Sequence, residues 1–128
     1  MFGVPHHFLL VHFALVLVLM ALFYDLRGAY DLGYRFTLGG ALSALAAIAS
    51  GLMLAGGQLS RMTIHAAAAL VGGLSIVALA MLRYSQNARE DDPPTSHPSV
   101  WLALELLAVA CVVVAVFTGH RAVLGYQP

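Results

Sequence analysis

Cysteine, lysine and charge are what this sequence has least of. One cysteine stands among 128 residues, so no intrachain disulfide can staple the fold. Cys111 sits in the run Ala-Val-Ala-Cys-Val-Val-Val, where a small buried thiol in a helix is the plain reading. Lysine is absent, and charged residues make up only 9% of the chain, against about a quarter in soluble domains. Formal net charge is zero, so there is no basic surface to attract phosphates and no nucleic-acid partner is expected. A soluble globular enzyme and a disordered tail are excluded on the same composition. No Lys or Arg precedes Arg27, so the positive region of a signal peptide is missing, and Phe8 to Tyr24 reads as a retained first membrane helix. No domain boundary, low-complexity tract or strong sequence repeat is visible.

What is present is hydrocarbon. Hydrophobic residues are 61% of the chain, enough for four spanning helices at about 20 apolar residues each, with short loops between. The expected architecture is an all-α integral membrane protein, a single up-down-up-down four-helix bundle over residues 1–128. Its spans are expected near residues 4–24, 36–57, 62–84 and 100–118. The first stretch stops at Asp25-Leu26-Arg27-Gly28 and the second at Gly56-Gly57. The second is rich in Gly, Ala and Ser, and the third carries Ala66 to Ala69 and Gly72-Gly73; such residues let helices approach closely in lipid. Gln58 to Arg61 reads as a tight hairpin, while Asp25 to Arg35 and Ser85 to Ser99 read as longer loops.

Let side A carry both termini. Side B then holds Arg27, Arg35, Arg83 and Arg89, and side A holds Arg61 and Arg121. This bias points side B to the cytoplasm and both termini to the periplasm of a bacterial inner membrane. Tyr24, Tyr30, Tyr34, Tyr84 and Trp101 lie near side B as an expected interfacial aromatic belt.

Histidine is over-represented: six, as many as all the arginines and as many as all the acids. His6, His7 and His12 enter the first helix from side A, with His12 about 7.5 Å deeper than His7 at 1.5 Å per residue. His65 enters the third helix and His120 ends the fourth, both on side A; only His97 falls in the side B loop. Ionisable residues inside a span are costly and are read as functional by default. In an up-down bundle the first and third helices are diagonal, and two imidazoles facing across the core can fill both axial positions of a haem iron. His12 and His65, at similar depth, are the expected ligands. Ala66 to Ala69, Ser50, Gly51 and Ala55 offer small neighbours for a macrocycle. His7 and His120, on the same side, are further candidate cofactor-binding residues. His120, Arg61 and Arg121 can hold propionates, and Ser60 and Thr63 can orient the rings.

Other readings of the same residues remain. Two intramembrane histidines can hydrogen-bond a carbonyl, a water or each other. Imidazole also suits a bare metal ion, although no His-x-x-x-His pair or Cys-His cluster is present, and a quinone contact is a further option. Glu105, inside the fourth helix, reads either as a partner of Arg83 or Tyr84, or as a proton-handling or quinone-contacting carboxylate. Its distance from the histidine face argues against a shared centre.

The stretch from His7 to Leu15, His-Phe-Leu-Leu-Val-His-Phe-Ala-Leu, resembles the opening motif of a bacterial membrane-protein family catalogued as domain of unknown function 2231. Asp25-Leu26, Gly51, His65 and the Gly-rich end around Gly119 and Gly125 are similar as well. Phe8 and Ala14 stand where that family tends to have prolines. The resemblance covers nearly the whole chain and implies a four-span membrane protein, with His7, His12 and His65 at its characteristic histidine positions. It implies no activity.

These readings converge on a b-type cytochrome-like subunit with one bis-histidine haem b near side A. It would carry electrons within a respiratory or photosynthetic membrane assembly, without catalysis of its own. A non-catalytic structural subunit and a metal- or quinone-binding membrane protein are the alternatives.

Overall fold

A computed structural model describes residues 4–56, 64–87 and 98–124, with side chains as far as 120. Four helices follow one another: α1 (Val4–Leu26), α2 (Tyr30–Leu54), α3 (Ile64–Asn87) and α4 (Ser99–Leu124). Each is long and apolar enough to cross a membrane. Sequential neighbours pack together and α1 closes on α4, so α1 and α3 lie on one diagonal and α2 and α4 on the other. This is the expected all-α bundle. α1 and α3 begin, and α2 and α4 finish, at what we term the histidine end.

The first connection is tighter than the sequence suggested. The stretch Asp25 to Arg35 reads as a loop, yet α2 already begins at Tyr30. Gly28 takes a left-handed φ of +75°, which only glycine adopts without strain, and closes α1 with bonds from Gly28 N–H to Asp25 O and from Ala29 N–H to Tyr24 O. The chain reverses there. Asp31 and Arg35, polar enough to resemble loop, pair one turn apart at 2.9 Å on the exposed face of α2. Similarly, α3 runs on through Ser85 to Asn87. The hairpin Gln58 to Arg61 and the Arg89 to Pro94 segment lie outside the described residues.

The interior is built from small side chains. Val11, Ala14, Val18, Ala41, Ala44, Ala47, Ile76, Ala80, Ala108 and Val112 form the buried core. Leu9, Phe13, Val16, Leu42, Met53, Leu74, Met81 and Phe117 point outward, as lipid-facing residues do. Each helix turns one stripe inward at alternating steps of four and three residues, the seam of left-handed helix packing. On α1 it runs His7, Val11, Ala14, Val18, Ala21, Asp25; on α4 it runs Trp101, Glu105, Ala108, Val112, Ala115, Gly119.

These stripes reveal a repeat that similarity along the chain does not show. His7 and Asp25 on α1 are eighteen residues apart, as are His65 and Arg83 on α3; Gly33 and Gly51 on α2, and Trp101 and Gly119 on α4, have the same spacing. Hairpin α1–α2 thus corresponds to hairpin α3–α4 about a pseudo-twofold axis along the bundle. Eighteen residues are about 27 Å of helix, near the thickness of the hydrocarbon layer. Two polar sites therefore lie at the two ends of the bundle, each made by all four helices.

Candidate histidine centre

At the histidine end, His7 and His65 face each other across the α1–α3 diagonal. Their ring centroids are 6.2 Å apart and the planes are nearly perpendicular, at 78°. His65 Nδ1 lies 2.7 Å from the carbonyl oxygen of Ala115 on α4. A carbonyl only accepts, so Nδ1 carries a proton and in the neutral ring Nε2 is the nitrogen with the lone pair. His7 Nδ1 lies 2.9 Å from Ser50 Oγ on α2. The Ser50 hydroxyl itself donates to Ala47 O at 2.9 Å, so it accepts from His7, and in the neutral ring Nε2 is again the nitrogen with the lone pair. The repeat extends to these supports: Ala47 corresponds to Ala115, and Ser50 to Thr118.

Both rings need glycine beside them. A Cβ on Gly51 would sit 3.0 Å from His7 Cε1, and one on Gly119 would sit 2.8 Å from His65 Cε1. Each histidine of one helix thus lies on the bare backbone of the next, at corresponding positions of the two hairpins. The outcome is two imidazoles that each donate through Nδ1, held from behind, with similar surroundings on either side of a pseudo-twofold axis.

The other candidates fall elsewhere. His12 is off the inward stripe; its Nδ1 donates to Phe8 O on its own helix at 2.8 Å, and its ring packs on Phe8 at 3.9 Å. It is not brought together with His65. His120 is exposed, its ring 6.3 Å from that of Phe8, and His6 is exposed in the first turn of α1. Arg61, Ser60, Thr63 and His97 lie outside the described residues, and Arg121 belongs to α4 without a described side chain. Among the described residues, no group of three or more His, Cys, Asp or Glu is gathered for a metal ion.

The opposite end holds a buried ion cluster. Arg83, Asp25 and Glu105 are exposed by 1%, 1% and 0%. Arg83 Nη2 donates to Asp25 Oδ1 at 3.0 Å and to Tyr30 O at 2.8 Å, while Nη1 donates to Asp25 Oδ2 and, at 3.2 Å, to Thr37 Oγ1. Glu105 Oε1 stands 3.8 Å from Nη1. The guanidinium lies 4.3 Å from the Trp101 ring centroid and 5.7 Å from that of Tyr34. Gly33 makes room for Asp25, since a Cβ there would fall 1.8 Å from Oδ1. Trp101 is therefore interior rather than part of an interfacial belt, and its indole N–H donates to Gln86 Oε1 at 2.7 Å. Tyr84 alone of that group is largely exposed, at 67%.

Sequence reasoning thus took Asp25 for a stop signal and Ser50 for a small residue beside a macrocycle, and gave neither its hydrogen-bond partner. The alternating four-three stripe was the signal available: it includes His7 and Asp25 and leaves out His12. The family resemblance rests on the quoted residues alone: no family model, curated protein or solved structure matches the chain.

Proposed function

We propose that this chain is a small membrane b-type cytochrome, an electron-transfer subunit with His7 and His65 as the axial ligands of one haem iron. The carrying observation is the equivalent pair of imidazoles across the diagonal, each fixed through Nδ1, which in the neutral ring leaves Nε2 as the nitrogen able to bind a metal. Ring centroids 6.2 Å apart are close enough for both imidazoles to hold one metal centre. This reading takes His7 in place of His12.

When bound, haem supplies reversible one-electron transfer. The protein's part is to fix the rings from behind with Ser50 and the Ala115 carbonyl, and to line the site with small residues, Ala47, Gly51, Ala115 and Gly119. His120, Arg61 and Arg121 belong to this end by sequence and are proposed for the propionates. The setting would be a bacterial inner membrane with both termini periplasmic, beside membrane subunits or quinone that exchange the electron.

The close seating of both rings on glycine backbone favours one second reading, a single metal ion held by the same two nitrogens without a macrocycle. An absorption spectrum of tag-free protein separates the two. A low-spin Soret and α band, lost in His7→Ala and His65→Ala but kept in His12→Ala, is expected. Colourless protein with one equivalent of metal would establish the second reading in its place. Colourless, metal-free protein would overturn both. Bands lost in His12→Ala and retained in His7→Ala would return the ligand to His12.

A further inference from the structure

The two imidazoles at the histidine end are crossed, at 78° between their planes. Each orientation is set by a helix of the other diagonal. His65 Nδ1 donates to Ala115 O, a carbonyl that belongs to the backbone of α4 and has no freedom to swing. His7 Nδ1 donates to Ser50 Oγ on α2, and that hydroxyl is itself tied to Ala47 O. Cε1 of each ring lies against a glycine, Gly51 or Gly119, so one edge of each ring is fixed as well.

The pseudo-twofold axis explains why the rings cross. For two rings aimed at one metal on that axis, a half-turn reverses the tilt of the second ring, seen along the line that joins them. The angle between the planes is then twice the tilt of either ring. The planes align only where that tilt is zero or a right angle. The supports correspond in the repeat, Ala47 to Ala115, with the Ser50 hydroxyl interposed on the α2 side.

The angle matters to an iron held between the rings. An imidazole donates π electrons into the iron d orbital perpendicular to its own plane. Parallel rings load one of two such orbitals and separate their energies. Crossed rings load one each and leave the two nearly equal. A low-spin ferric ion then keeps much of its orbital angular momentum, and its magnetic anisotropy is large. Axial ligands and the groups bonded behind them are the protein's levers on a haem iron.

We infer that Ser50 and the Ala115 carbonyl are positioning groups that hold the His7 and His65 planes crossed, so that the ferric centre is of the strongly anisotropic low-spin type. The inference rests on the haem reading above and adds to it what the protein does to the electronic state of the iron.

Low-temperature EPR of the oxidised, tag-free protein in lipid nanodiscs tests it. The expected spectrum is one ramp-shaped feature at low field, with the other two components too broad to resolve. A resolved three-line rhombic spectrum would mean near-parallel planes; it would overturn the inference and leave the bis-histidine haem in place. No low-spin ferric haem signal at all would overturn the haem reading, and the inference with it. Ser50→Ala should move the signal toward the rhombic form as the His7 ring is released, and Ser50→Thr, which keeps the hydroxyl, should restore it. An unchanged signal in Ser50→Ala would overturn the role of Ser50. Should Ser50→Ala lose its haem, Ser50→Cys, a weaker acceptor of similar size, reads the same shift. The unaltered protein decides the plane angle without any substitution.

Discussion

Arg83 donates to both carboxylate oxygens of Asp25 from the diagonally opposite helix, 58 residues away in sequence. Removing Asp25 strips the buried guanidinium of both its hydrogen-bonded carboxylate oxygens and leaves it only Glu105 at 3.8 Å, a loss of at most about 3–5 kcal/mol. Asp25→Ala is expected to destabilise the bundle by that amount in equilibrium unfolding from mixed micelles. The double variant Asp25→Leu/Arg83→Met should lose less than Asp25→Ala alone, since no buried guanidinium stripped of its bidentate partner then remains. A double variant that loses the sum of both single effects would show that the two groups act separately.

Gly33 is tied to the same pair by space alone. A Cβ at 1.8 Å from Asp25 Oδ1 forces the carboxylate off the guanidinium. Gly33→Ala should therefore destabilise the native bundle strongly, yet add little once Asp25 is already alanine. Thermal unfolding of the single and double variants reads this directly. An undiminished effect in the Asp25→Ala background would mean that Gly33 serves a purpose other than seating Asp25.

Trp101 is the chain's one tryptophan, so its emission reports on the ion cluster without labelling. It is 2% exposed, stacked on Arg83 and bonded to Gln86. Brominated lipids should quench it weakly at any bromine depth, whereas a tryptophan anchored at the headgroups would be quenched strongly by shallow bromines. Arg83→Met should shift its emission; an unchanged spectrum would separate the ring from the guanidinium.

Ser50 supports His7 through Nδ1. Groups that orient a metal-bound histidine from behind are typically worth about 10–100-fold in metal affinity. Ser50→Ala should weaken retention of whichever metal centre the His7–His65 pair holds by a factor in that range, while Ser50→Thr should keep most of it. Gly119→Ala, which crowds His65 Cε1 at 2.8 Å, should weaken retention from the other side. Metal or haem content after graded chelator or apomyoglobin challenge measures both. Retention equal to the unaltered protein would remove Ser50 and Gly119 from the centre.

By itself the sequence determined the membrane and the bundle. Runs of apolar residues as long as a bilayer is thick have few ways to satisfy their backbones except as helices, and short connections make neighbours antiparallel. It also determined that histidines collect at one end, because spacing along a helix is depth. What only the tertiary structure decided is which side chains meet. His7 and His12 differ by five residues, about 140° around a helix, so one faces His65 while the other turns back onto Phe8. Asp25 and Arg83 likewise look like span-end charges until the diagonal brings them together. The reason is the same at both ends: membrane depth is set by position along one helix, but contact is set by rotation about its axis. That rotation is fixed by the small residues along the facing seams and not by hydrophobicity, which lipid satisfies on every side.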